Sequence, residues 1–127
     1  MSALPEQWLY FAEQDLAFAK AGFEDGFFAH VCALSQQAVE KTIKAYLSAQ
    51  KIPFPKIHGL LRLRDLMRVR WLEPHVDALK QLSDFYVPLR YPDAMVGSLP
   101  TGLPGEPEAR RALEWADAIC QLIRKHL

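Results

Sequence analysis

Between Leu9 and Phe23, apolar side chains fall at Leu9, Ala12, Leu16, Ala19 and Phe23, the series i, i+3, i+7, i+10 and i+14. Only a helix gathers such a series on one side, because its 3.6-residue turn returns every third or fourth side chain to one face. The same period returns in every long segment, and no stretch alternates with the period of two that a half-buried strand needs. Proline and glycine mark where the segments stop. Pro5 suits a first helical turn, where its missing N–H has no partner to lose. Gly26, after Glu24 and Asp25, marks a turn, and a second helix runs from about Phe27 to Ala49. It carries Val31, Leu34, Ala38 and Ala45 on one side, with Cys32, Val39, Ile43 and Tyr46 beside them.

Pro53 and Pro55 hold the next loop extended. A third helix starts near His58, with Leu60, Leu63 and Met67 on one face. Pro74 opens a fourth, carrying Val76, Leu79, Leu82, Phe85 and Tyr86, which ends before Pro88. The segment from Arg90 to Gly105 is dense in proline and glycine and reads as a long surface loop, a type of element that is often functional. Pro107 begins the last helix, with Leu113, Ala116, Cys120, Ile123 and Leu127 at helical spacing. Glu106 and Glu108 at its start and Arg124, Lys125 and His126 at its end match the helix dipole. The expectation is an all-α chain of four to five helices.

The 127 residues make one domain, 1–127, and half of them are hydrophobic, enough for a core without staples. Fifteen basic and fifteen acidic side chains cancel, so contact with nucleic acid would need a local patch. Cys32 and Cys120 lie in apolar helical segments without metal-type spacing and read as buried, reduced thiols. No signal peptide and no run of about 20 apolar residues is present, so the expectation is a cytoplasmic protein with no membrane contact.

The first helix has a second apolar stripe, Trp8, Phe11, Phe18 and Gly22, interrupted by Asp15. A helix apolar on two faces must cover both. Either it is central and packed on both sides, or the second face meets another copy in a homodimer or higher homo-oligomer.

His30, His58, His75 and His126 stand on different elements, and neither a phosphate-binding glycine loop nor a metal-binding cluster occurs. No metal and no cofactor is expected. On the second helix Gln37, Lys41 and Lys44 share a face, and Glu40 can pair with Lys44. This reads as a solvated face, or as a partly basic strip able to meet phosphate. Arg62, Arg64, Arg68 and Arg70, tempered by Asp65, form the one local basic concentration.

Taken together, QQAVEKTIKAYL at 36–47, His58 with Leu60 after the proline loop, YVPLRYPD at 86–93 and the closing helix from Pro107 resemble HEPN-domain proteins. The resemblance spans nearly the whole chain. It implies an up-and-down helical bundle, frequently dimeric, of bacteria and archaea. It also implies a nucleotide- or partner-binding module, often encoded beside a minimal nucleotidyltransferase in a two-component system of toxin–antitoxin type. Arg90 would then contact phosphate or carboxylate, Tyr91 would stack on a base, and Asp93 would hold Arg90 or bond a ribose, with His58 and Lys41 as further ligand-binding candidates.

Other HEPN branches are metal-independent ribonucleases, marked by an arginine, four to six residues and a histidine. After Arg90 those positions hold Met95, Val96 and Gly97. Arg70 and His75 do have the spacing, on the turn between the third and fourth helices, and are the catalytic candidates of an alternative reading as a ribonuclease toxin that cleaves RNA. A purely structural helical oligomer is the third reading, with Trp8, Phe11 and Phe18 carrying the association.

Overall fold

The computed structural model describes residues 3–85 and 102–127. Five α-helices follow one another there: α1 (Pro5–Glu24), α2 (Phe28–Ala49), α3 (Leu60–Met67), α4 (Val76–Ser83) and α5 (Glu106–Arg124), with a 3-10 turn, Glu73–His75, leading into α4. No strand occurs among the described residues. The chain is an all-α bundle in which α2 is the central element. It packs along α1 on one side and α5 on the other, and it also touches α3 and α4.

The turns explain the helix ends. After α1 the chain enters the left-handed region at Gly26 (φ 81°). The Phe27 N–H then donates to the Gly22 carbonyl (2.9 Å), and that of Gly26 to the Phe23 carbonyl (3.2 Å). This is the Schellman closure, which satisfies carbonyls that would otherwise be orphaned and turns the chain back for α2. The end of α2 repeats it with a different residue. Ile52 N–H donates to Leu47 (2.8 Å) and Lys51 N–H to Ser48 (3.1 Å), but the left-handed position belongs to Lys51 (φ 58°). The starts of α1 and α5 are tied by side chains reaching back: Gln7 Oε1 accepts from Leu4 N–H (2.7 Å) and Glu108 Oε1 from Gly105 N–H (2.8 Å).

The core is drawn from every helix. Leu16 and Ala19 of α1 join Val31, Val39, Ile43 and Leu47 of α2, with Leu63, Leu79, Leu82, Ile119 and Ile123 closing it from the other elements. Cys32 and Cys120 are buried and free, and burial pushes their thiols up to about 12 and about 11. Thr42 Oγ1 lies 3.3 Å from Cys120 Sγ, giving that buried sulfur a polar neighbour.

Three expectations change. The fourth helix begins at Val76, because the turn around Pro74 is 3-10. At the end of the supposed surface loop, Pro104 and Gly105 are buried against the start of α5. Among the described residues the second face of α1 is only partly packed: Gly22 is buried and Trp8 half-buried, but Phe11 and Phe18 are exposed. Among the described residues, then, α1 is not packed on both sides along its length, and the central element is α2. Asp15, which interrupts the stripe, accepts a hydrogen bond from Lys41 Nζ at 2.7 Å, a link between α1 and α2.

Candidate functional site

Along α2, Gln36, Glu40 and Lys44 stand at i, i+4 and i+8, so their side chains lie nearly in line on one face. That face is not solvated. The three are 1%, 7% and 6% exposed, so Lys44 leaves the solvated face read for Gln37, Lys41 and Lys44, whereas Gln37 and Lys41 are half-buried. A polar side chain this deep must find partners, and here the partners are one another. Gln36 Nε2 donates to Glu40 Oε1 at 3.1 Å and approaches the His58 carbonyl at 3.4 Å. Lys44 Nζ donates to Glu40 Oε2 at 3.0 Å.

His58 completes the cluster from the loop. Its Nδ1 lies 3.1 Å from Glu40 Oε2 and 3.3 Å from Oε1. The proline-stiffened segment sets this approach: Lys51 and Ile52 turn the chain off α2, and Ile57 N–H donates to Pro55 at 2.8 Å just before His58. Beyond it, Leu60 N–H donates to Ser83 Oγ (3.2 Å), fixing the start of α3 against α4. Glu40 thus has Gln36, Lys44 and His58 converging on one carboxylate. His58, 44% exposed at its side chain, carries the cluster to the surface. Chemically, this is an anchored imidazole at the rim of a buried ion pair, able to hold a ring in one orientation against a ligand.

Lys44 also belongs to a second environment. Its ammonium sits 5.4 Å from the Trp8 ring centroid and 5.9 Å from that of Phe54, while the two rings meet edge-on at 6.3 Å. These rings wall an open pocket of about 890 Å³ between the start of α1 and the end of α2.

The other candidates are dispersed. Lys41 is held by Asp15 and lies 5.8 Å over the Phe11 ring, in a network separate from that of His58. Arg70 and His75 occupy the same turn, where Glu73 N–H donates to the Arg70 carbonyl (3.0 Å) and His75 N–H to that of Leu72 (2.9 Å). No hydrogen bond or ion pair joins their side chains among the described residues. Arg62, Arg68 and Arg70 are exposed, but Arg64 is bound by Glu73 (3.0 Å) as well as Asp65 (3.3 Å), so the basic patch is weaker than its letters suggest. Arg90, Tyr91 and Asp93 lie outside the described residues. Among the described residues, no group of His, Cys, Asp and Glu could hold a metal ion.

Gln36 and Phe54 were not among the sequence candidates, while Glu40 entered only as the partner of Lys44 and Trp8 only as an association residue. The i, i+4, i+8 spacing of Gln36, Glu40 and Lys44 was the available signal for Gln36 and Glu40. Trp8 and Phe54 are far apart in the chain, and nothing in the sequence signalled their meeting.

The HEPN domain family model matches residues 5–126. Among solved structures, TT1696 from Thermus thermophilus is similar at 29% identity, with a TM-score of 0.82 over 97% of this chain and 98% of that one. ST0689, an archaeal HEPN homologue, is similar at 26% identity, with a TM-score of 0.78 over 98% of each chain. No curated protein matches the chain. With the matched model covering all five helices, this chain belongs to the HEPN family.

Proposed function

We propose that residues 1–127 form a single HEPN domain that binds a nucleotide or a protein partner in the cytoplasm, as the HEPN half of a two-component, toxin–antitoxin type system with a minimal nucleotidyltransferase. The observation that carries this reading is the Glu40 cluster. A buried ion pair is weak as a source of stability, since well-packed apolar residues of similar volume do as well or better. A core shaped by stability alone has no need of Gln36, Glu40 and Lys44 in line with His58 at their rim. Arg90, Tyr91 and Asp93 remain the ligand-binding candidates of this reading, and Lys41 stays a secondary one. The test is calorimetry with ATP and short RNAs on wild type, His58→Ala and Arg90→Ala, together with co-purification with a minimal nucleotidyltransferase. Binding of neither nucleotide nor partner refutes the reading. RNA cleavage without metal, lost in His75→Ala, would replace it with the ribonuclease alternative.

A second reading concerns assembly. Phe11, Phe18 and Phe27 are 56%, 68% and 59% exposed, and an apolar groove of about 400 Å³ runs beside Phe18 and Phe27. Large aromatic side chains so open favour a homodimer through this face of α1 and α2. Light scattering on wild type and Phe18→Asp tests it: a dimer that dissociates on substitution is expected, and a wild-type monomer at micromolar concentration refutes it.

A further inference from the structure

The segment that leaves α2, KIPFPK at 51–56, lines the open pocket of about 890 Å³ between the start of α1 and the end of α2. Its two lysines, Lys51 and Lys56, are exposed and make no ion pair among the described residues. Lys44, the third lysine of the lining, is held by Glu40 at 3.0 Å. No aspartate or glutamate lines the pocket, so in a chain of zero net charge the uncompensated charge here is that of Lys51 and Lys56. The backbone between them offers little to an anion. Pro53 and Pro55 have no N–H, while Ile52 N–H donates to the Leu47 carbonyl (2.8 Å) and Lys51 N–H to that of Ser48 (3.1 Å). An anion that binds here is therefore met by ammonium groups. The prolines also stiffen the backbone that carries the two lysines, which lowers the ordering cost of binding.

The rest of the recognition surface is aromatic. Phe54 lies between the two lysines in the chain and meets Trp8 edge-on at 6.3 Å, and both rings are half-buried, so each keeps an open part. A partly open tryptophan in a concave wall is the kind of anchor around which protein interfaces concentrate their binding energy. A small inorganic anion would leave the rings uncovered, and a purely apolar ligand would leave the lysines unanswered. Nucleic acid and anionic lipid surfaces are held by broad arrays of cations, roughly four to eight for a lipid surface, and two free lysines beside a concave aromatic wall are too few. The surface matches a short chain segment that seats one apolar side chain on the rings and carries carboxylates on either side of it. We infer that this pocket docks an acidic segment of a partner protein, with an apolar side chain against Trp8 and Phe54 and the flanking carboxylates at Lys51 and Lys56. The inference goes beyond the function proposed above: it uses neither His58 nor Arg90, and it holds whether or not the Glu40 cluster takes a ligand.

The experiment is fluorescence anisotropy of the full chain with a labelled, end-capped peptide, Asp-Glu-Phe-Asp-Glu. Three further probes accompany it: Asp-Glu-Ala-Asp-Glu, Asn-Gln-Phe-Asn-Gln and a labelled oligothymidylate. The variants are Lys51→Gln/Lys56→Gln, Trp8→Leu and, on exposed arginines outside the pocket, Arg62→Gln/Arg68→Gln, each checked for helicity by circular dichroism. The acidic phenylalanine peptide should bind at least ~10-fold tighter than either of the other peptides and weaken as salt rises. The double lysine variant, which changes only exposed side chains, should raise its Kd ~10-fold. Trp8→Leu should raise it by a similar factor, and the arginine variant by less than ~2-fold. A phenylalanine peptide that binds no tighter than its alanine or its neutral counterpart would overturn the inference. Equal losses in the arginine and lysine variants would reduce the effect to general charge attraction and overturn it too. Oligothymidylate that binds more tightly than the peptide and is lost in the lysine variant would assign the pocket to nucleic acid instead. None of these outcomes bears on calorimetry at the Glu40 cluster, so the two readings fail separately.

Discussion

Replacing Lys44 by methionine removes one charge from a pair that water hardly reaches. Lys44 and Glu40 are 6% and 7% exposed and lie 3.0 Å apart, so the loss leaves a carboxylate in the core with Gln36 and His58 as its remaining partners. Breaking a buried pair from one side costs about 3–5 kcal/mol, and the two surviving donors put this case near the lower end, about 3 kcal/mol. For 127 residues, an unfolding entropy of about 2.1 cal/mol/K per residue converts that into a fall of ~11 °C in Tm. Glu40→Gln should destabilise too. In the double variant both charges are gone, so its loss should fall short of the summed single losses by about 1–2 kcal/mol. Urea denaturation of the four proteins supplies the cycle. Strict additivity, or a Lys44→Met protein within about 0.5 kcal/mol of wild type, would refute the claim that this pair is buried and coupled.

Other outcomes follow from the same structure. Lys51→Gly should raise stability by about 0.5–1 kcal/mol, because glycine takes a φ of 58° without the strain a side chain meets; a loss in thermal denaturation would contradict the geometry. Ile43→Ala, at a fully buried position of the central helix, should cost about 3–4 kcal/mol by urea titration. The thiols of Cys32 and Cys120 stand above their ordinary value of 9.0, at about 12 and about 11, so the folded state keeps protons that the unfolded state gives up. Their contribution is therefore complete below pH 9 and lost as pH rises toward 11 and 12, at about 1.4 kcal/mol per pH unit for each thiol. Denaturation midpoints across that range should flatten in Cys32→Ala/Cys120→Ala. At about pH 8 both thiols should resist a soluble disulfide reagent until the chain unfolds.

The helices were legible because hydrophobic period and backbone punctuation agree. The stripe of Leu9, Ala12, Leu16 and Ala19 and the stop at Gly26 point to the same element, and the glycine has the positive φ that such a stop requires. In the polar part of α2 the Glu40–Lys44 pair was legible from its i, i+4 spacing, but the burial of Lys44 was not. Periodicity assigns faces by hydropathy, and Gln36, Glu40 and Lys44 are hydrophilic one by one; only their mutual pairing, with His58 from a later loop, makes their burial possible. Lys41, adjacent to Glu40 in sequence, points instead to Asp15, a single-residue rotation that separates two networks. Trp8 and Phe54 meet only because α2 turns at Lys51, a fact of tertiary structure with no local trace.

The Asp15–Lys41 link has a consequence for any surface that covers the open face of α1. Phe11 and Phe18 flank Asp15 along the helix, so an incoming surface must align its own groups with a charged pair midway between two aromatic contacts. Sliding by one helical turn would set a phenyl ring on a carboxylate and leave the ion pair without solvent or partner. The polar interruption thus works as an index mark, restricting which alignments of a neighbouring helix are tolerated more than it adds to their strength.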